Sequence, residues 1–177
     1  MIKGKLVGLR AIEKEDLPLL QAWRNLPQFR KNFREFKELS LANQEAWFKR
    51  IVVDSPNDFM FMIVRLSDNK PIGVAGLVYV SWVIRAADFS FYIGDEEKYI
   101  SDDDYSIEAV KLLLDYGFKT INMHKVWMEL YDFDKKKIDF FLNKFNFSCD
   151  ALLRDNCFED GKYYNSHIYS ILESEYK

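Results

Sequence analysis

At 177 residues, with 49% apolar and 16% aromatic side chains and only 7 Gly and 4 Pro, the chain has the composition of one folded domain spanning 1–177. A formal net charge of −3, with basic residues scattered among acidic ones, excludes a general nucleic-acid binder, which needs a basic face. Neither a CxxC spacing nor a His cluster is present, so no metal is expected, and no apolar run is long enough to cross a bilayer.

The opening MIKGKLVGLR lacks the apolar core of a secretory signal, so a reducing, cytoplasmic setting is expected. Lys5 to Arg10 reads as a first strand. Glu13 to Asn25 follows as a helix, with Glu13, Glu15 and Asp16 near its positive end and Leu19, Leu20 and Trp23 on its apolar face. Pro27 is expected to end it. Phe29 to Leu39 mixes aromatic and charged residues without a period, and no element is assigned there. Ser40 reads as the N-cap of a second helix carrying Trp47, Phe48 and Ile51 on one face.

From Phe59 the period changes to that of strands. Phe59–Leu66, Pro71–Val80 and Ala87–Ile93 read as an antiparallel meander, its first turn at Ser67-Asp68-Asn69-Lys70. Ser106 to Thr120 is a helix with Ile107, Val110, Leu114 and Phe118 on one side. Lys125–Tyr131 is a strand and Asp134–Phe145 a helix with the stripe Ile138, Phe141, Leu142, Phe145. Two strands around the Asp160-Gly161 turn close the chain. Cys149 and Cys157 fall in the first of them, roughly 25 Å apart if it is continuous, which excludes a disulfide. The order β-α-α-β-β-β-α-β-α-β-β indicates an α+β or mixed α/β domain with a largely antiparallel sheet.

Four blocks in this order, LRAIEKEDLPLLQAWRN (Leu9–Asn25), KPIGVAGL (Lys70–Leu77), ADFSFYIG (Ala87–Gly94) and IEAVKLLLDYGF (Ile107–Phe118), resemble the GNAT acetyltransferase superfamily. A weaker block runs from Lys125 to Phe147, so the resemblance covers nearly the whole chain. It is nearest the branch containing ribosomal-protein alanine and aminosugar acetyltransferases. The resemblance implies a central twisted sheet flanked by helices, with a splayed strand pair that receives acetyl-CoA. The implied reaction is direct attack of a primary amine on the acetyl group. The acceptor would be an aminosugar nucleotide, a protein N-terminus or a small amine, and the chain a monomer or homodimer without nucleic-acid or membrane partners.

By position in these motifs, Asp88 is the expected amine contact or base and Glu129 the second choice. A solvated or salt-bridged strand carboxylate remains an open alternative for each. Phe91, Tyr92, Ile93, Asp102, Asp104, Tyr105, Ser106, Asp134 and Phe141 are the implied donor contacts. Trp23, Arg24 and Asn25, which match a WRN signature, are implied on the acceptor side, and Tyr79 and Trp82 are expected there as part of an aromatic cluster with Trp23, Phe29 and Phe33 that suits a partly flat acceptor.

Two departures stand out. The family's glycine-containing pyrophosphate loop is replaced by Ser101-Asp102-Asp103-Asp104-Tyr105-Ser106. A carboxylate about 4 Å from a phosphate charge costs roughly 1 kcal/mol in water and up to about 4 near a protein surface, although such aspartates can instead cap the helix. Phe141 stands where the family often has a tyrosine that protonates the departing thiolate. Losing that acid slows turnover by about 10²-fold without abolishing it, because a thiol is a tolerable leaving group. Together these leave open a diverged member that binds the donor weakly and acts as a binding or regulatory module.

Overall fold

The structure is a computed structural model describing residues 1–177. An eight-stranded sheet runs through it in the order β1-β2-β3-β4-β5-β6-β8-β7. The strands are β1 (Ile2–Lys3), β2 (Val7–Ala11), β3 (Phe59–Arg65), β4 (Lys70–Ser81), β5 (Ala86–Ile93), β6 (Lys125–Tyr131), β7 (Ser148–Glu159) and β8 (Lys162–Leu172). Neighbours pair antiparallel throughout except β5 and β6, which are parallel. The mixed α/β architecture with a largely antiparallel sheet is as the sequence indicates. No helix is long and apolar enough to cross a membrane.

The helices are α1 (Leu17–Asn25), α2 (Pro27–Arg30), α3 (Leu41–Trp47), α4 (Asp104–Asp115) and α5 (Lys135–Phe145). Their starts are written locally. Ser40 caps α3 through Asn43 N–H, Asp103 caps α4 through Ser106 N–H, and Asp134 caps α5 through Lys137 N–H. Asn146, in the left-handed conformation at φ 56°, ends α5.

Several boundaries differ from expectation: the strand expected over Lys5 to Arg10 runs Val7–Ala11 with β1 added before it, and the helix expected from Ser106 starts at Asp104. The first helix begins as a 3₁₀ turn at Lys14–Asp16, because Asp16 is drawn back into a two-pronged pair with Arg10 at 2.7 and 2.8 Å. Pro27 does end α1, but its fixed φ then starts α2, which runs into the first residues of the stretch left unassigned. The expected helix to Thr120 loosens into a π-type turn over Tyr116–Thr120, and α3 does the same over Phe48–Val53.

β5 lies at the centre and is buried on both faces except at Ser90. On one face Tyr92 packs edge-on against Trp23 of α1, Phe29 of α2 and Phe33. On the other, Phe89 and Phe91 pack against Phe141 of α5, with Phe140 and Phe147 beside them. Gly94 ends β5 as glycine because any Cβ there would run into the Trp23 ring.

The feature that positions everything else is the β5–β6 pairing. It holds only at Ala86–Lys125, Ala87–Val126 and Asp88–Trp127. Beyond that point β6 stays fully paired to β8, from Lys125–Leu172 to Tyr131–Ser166, while β5 stays paired to β4. The two strands therefore diverge, and the expected splay is present.

Candidate active site

A cleft of about 530 Å³ opens at this fork, on the side of α1 to α3. Asp88, the last paired residue of β5, and Glu129, two past its partner Trp127 on β6, place their carboxylates on its wall. Arg34, from the irregular segment 31–39, reaches between them. Its Nη1 donates to Asp88 Oδ2 at 2.7 Å and its Nη2 to Glu129 Oε2 at 3.4 Å. The Arg34 Cζ lies 6.0 Å from the Tyr79 ring centre and 5.9 Å from that of Trp127.

Tyr79 is aimed by its backbone. The β4–β5 register slips between Val78 and Ser81, and Tyr79 sits in this bulge with φ 52°, its N–H held by Asp58 Oδ1 at 2.9 Å. A left-handed backbone on a bulky residue marks strain that the bulge absorbs.

The carboxylates differ in environment. Asp88 is 5% exposed, and burial pushes its pKa above the usual carboxylate range, opposed by Arg34. Glu129 Oε1 accepts from Ser166 Oγ at 2.6 Å and Asn156 Nδ2 at 2.7 Å. Burial works against the Arg34 charge, but Asp88 and then Glu129 carry its pKa above the ordinary value.

Inside the fork, Lys137 of α5 extends its Nζ to the Phe91 carbonyl at 2.7 Å and lies 3.4 Å from Tyr99 Oη. Tyr99 donates in turn to Asp134 Oδ2 at 2.8 Å. Burial lowers the Lys137 pKa, with Asp134 and Asp88 opposing. The Ile93 N–H is taken by the Tyr99 carbonyl at 2.9 Å. Phe141, one turn after Lys137, is 1% exposed within the aromatic cluster and has no proton to give.

At the α4 tip the three aspartates split. Asp102 and Asp104 are exposed, while Asp103 turns inward, accepting from Ser106 N–H at 2.8 Å and Ser101 Oγ at 2.9 Å. Burial opposes the Asp103 charge, but these hydrogen bonds hold its pKa below the ordinary value. Tyr105 packs half-buried against the core, and the buried Ser106 Oγ has no hydrogen-bond partner. The splayed backbone and this orphaned hydroxyl at a helix N-terminus fit an amide-bearing arm ending in a phosphate. Asp103 at the tip must rotate away for it, and on the strand the Ile93 N–H and the Phe91 carbonyl are already engaged by the Tyr99 carbonyl and Lys137.

Of the residues implied on the acceptor side, Arg24 and Tyr79 line the cleft. Asn25 instead clamps the 31–39 segment, its amide bonded to both the N–H and the carbonyl of Leu39 at 2.8 Å. Trp23 packs under Gly94, and the Trp82 Nε1 donates to Asn57 Oδ1 at 2.8 Å, so neither ring lines the cleft. Sequence reasoning missed Arg34, Trp127 and Lys137. Lys137 carried a signal, since it lies four residues before Phe141 and shares that buried helical face. Arg34 carried none.

Residues 7–138 match the family model described as acetyltransferase (GNAT) domain. The chain belongs to the GNAT acetyltransferase family. Within it, the chain is 28% identical over 171 residues to the spermidine N(1)-acetyltransferase of Escherichia coli K12, covering 96% of this chain and 88% of that one. It is 25% identical to the uncharacterized N-acetyltransferase p20 of Bacillus licheniformis, covering 95% of this chain and 93% of that one. The fold matches the Vibrio cholerae spermidine N-acetyltransferase solved with CoA and spermine at a TM-score of 0.86, with 22% identity over 98% of this chain and 99% of that one. A dodecameric form of the Vibrio enzyme matches at 0.79, with 21% identity over 97% of this chain and 96% of that one. These relatives are not the ribosomal-protein alanine and aminosugar enzymes that the motif blocks resembled. The blocks encode the strand–helix frame common to the family and do not single out one branch of it.

Proposed function

We propose that this GNAT protein transfers the acetyl group of acetyl-CoA to a primary amine of a small, multiply charged amine of the polyamine class. The observation that carries the reading is the β5–β6 fork with Asp88 at its apex and Glu129 beside it. The carboxylate pair at the apex suits a cationic acceptor, while Arg24, Lys37, Arg50 and Lys137 line other parts of the cleft, and the named spermidine acetyltransferases support that choice.

Bound acetyl-CoA supplies the activated acyl group. The splayed backbone of Phe91 to Ile93 and the α4 tip around Tyr105 and Ser106 are the groups to hold it, with Asp134 and Lys137 fixing the far side of the fork. Asp88 receives the proton that the acceptor ammonium must lose before its nitrogen can attack, and the raised pKa that burial gives this carboxylate makes it the stronger base. Glu129, fastened by Ser166 and Asn156, holds a second positive charge of the acceptor in place.

Incubation with acetyl-CoA and spermidine should yield a monoacetylated product by mass spectrometry, and acetyl-CoA alone should raise the melting temperature. No thermal shift at millimolar donor together with no product would overturn the reading.

A further inference from the structure

The carboxylate pair at the apex of the cleft already holds a cation, and it comes from the chain itself. Asp88 and Glu129 supply the carboxylates and Tyr79 and Trp127 the ring faces, the make-up of a box for an organic cation, and Arg34 fills it. We infer that Arg34 is a built-in occupant of the acceptor's cation site, displaced when the acceptor binds, and so sets the charge an acceptor must bring. This rests on the reading that an amine enters this cleft.

The parts around Arg34 suit the exchange. The segment carrying it is pinned on both sides, by Phe33 packed on Tyr92 and Tyr99 and by Asn25 clamped to Leu39. The Arg34 side chain is 46% exposed, so it can swing into water without moving its backbone. Asp88, at 7% side-chain exposure, has no such freedom and needs a partner whenever the cleft is empty of substrate. A guanidinium stays charged at every working pH and supplies that partner. Two carboxylates and one guanidinium sum to −2 + 1 = −1. A monoamine that expels Arg34 only restores the −1 already present and gains nothing by the exchange, whereas a diamine brings the sum to −2 + 2 = 0. Arg34 thereby selects against monoamines.

The test is calorimetric titration of the full chain, without donor, with 1,4-diaminobutane, butylamine and methylguanidinium. Arg34→Gln should bind the diamine about tenfold or more tighter than wild type, because the fraction of open sites rises, while Arg34→Lys stays near wild type. Methylguanidinium should bind Arg34→Gln and compete with the diamine there. Adding Asp88→Asn to Arg34→Gln should erase the gain. In the wild type, diamine saturation should move the Arg34 side-chain ¹⁵N resonance toward that of free arginine, a readout independent of how the variants fold. An unchanged or weaker diamine affinity in folded Arg34→Gln, a gain that survives Asp88→Asn, or a static Arg34 resonance at saturation overturns the inference. Diamine that binds as expected but is never acetylated would instead sink the proposed reaction and leave the Arg34 exchange standing.

Discussion

Asp88 accepts side-chain hydrogen bonds from Arg34 alone, whereas Glu129 also accepts from Ser166 and Asn156. In the proposed reaction that difference assigns proton transfer to Asp88 and positioning to Glu129. Asp88→Asn removes the base and should lower kcat by about 10²–10⁴-fold. Glu129→Gln keeps an oxygen for Ser166 and Asn156 but loses the charge, so it should leave kcat within about tenfold while raising the KM for spermidine. Initial rates with spermidine decide, and full activity in Asp88→Asn would remove that carboxylate from the chemistry. The cysteines are distinguishable at the same scale. Both are free; Cys149 is exposed with Sγ 3.6 Å from His167 Nδ1, and His167 Nε2 lies 2.7 Å from Asp132 Oδ1. Burial, then Glu159 and Glu129, raise the Cys157 pKa. A limiting aromatic disulfide reagent should therefore label Cys149 first, and peptide mapping that finds Cys157 labelled ahead of it would refute the ordering.

The α4 tip is an element whose stability and ligand affinity pull in opposite directions. The Asp103 carboxylate occupies the N–H that a phosphate would use, so it stabilises the empty helix and competes with the donor. Asp103→Ala should cost about 1 kcal/mol in urea unfolding and Asp103→Gly only a few tenths. Asp103→Gly should also tighten CoA binding by calorimetry, most clearly at low salt. Unchanged affinity would mean that the exposed Asp102 and Asp104, or nothing, set the repulsion. The cap of α3 was legible at Ser40 because it is a contact over three residues, and capping was an open option for the α4 aspartates, whereas Asp134 was read as a donor contact and not as the cap of α5. The loosened ends of α3 and α4 were not, because an extra residue in a turn answers to tertiary packing. The orientation of the aspartates was equally hidden, since capping and repelling use the same sequence.

Across the whole molecule, most of the element order along the chain and the β3–β5 meander followed from local period and turn residues, the placing of β8 between β6 and β7 did not, and the fork was implied by the resemblance alone. What sequence could not supply is the traffic across the fork, because its partners lie far apart in the chain: Arg34 and Asp88 are 54 positions apart, and Lys137 and Phe91 are 46. Lys137 is the tie between the two halves, reaching from α5 to the β5 carbonyl that lost its strand partner. Burial depresses its pKa below 10.5 in the fold. Between that depressed value and 10.5 the unfolded chain binds more protons than the native one, so this group makes stability rise with pH. Lys137→Met removes the contribution while the tyrosine and surface titrations remain in both proteins and cancel. The unfolding free energy of wild type minus Lys137→Met, from urea curves at about pH 7 to about pH 10, should therefore climb, by about 1.4 kcal/mol for each pH unit separating the folded and unfolded pKa values. A flat difference would show that the amine keeps its charge at no cost, and that the fork is wetter than its closed arrangement of Lys137, Tyr99 and Asp134 requires.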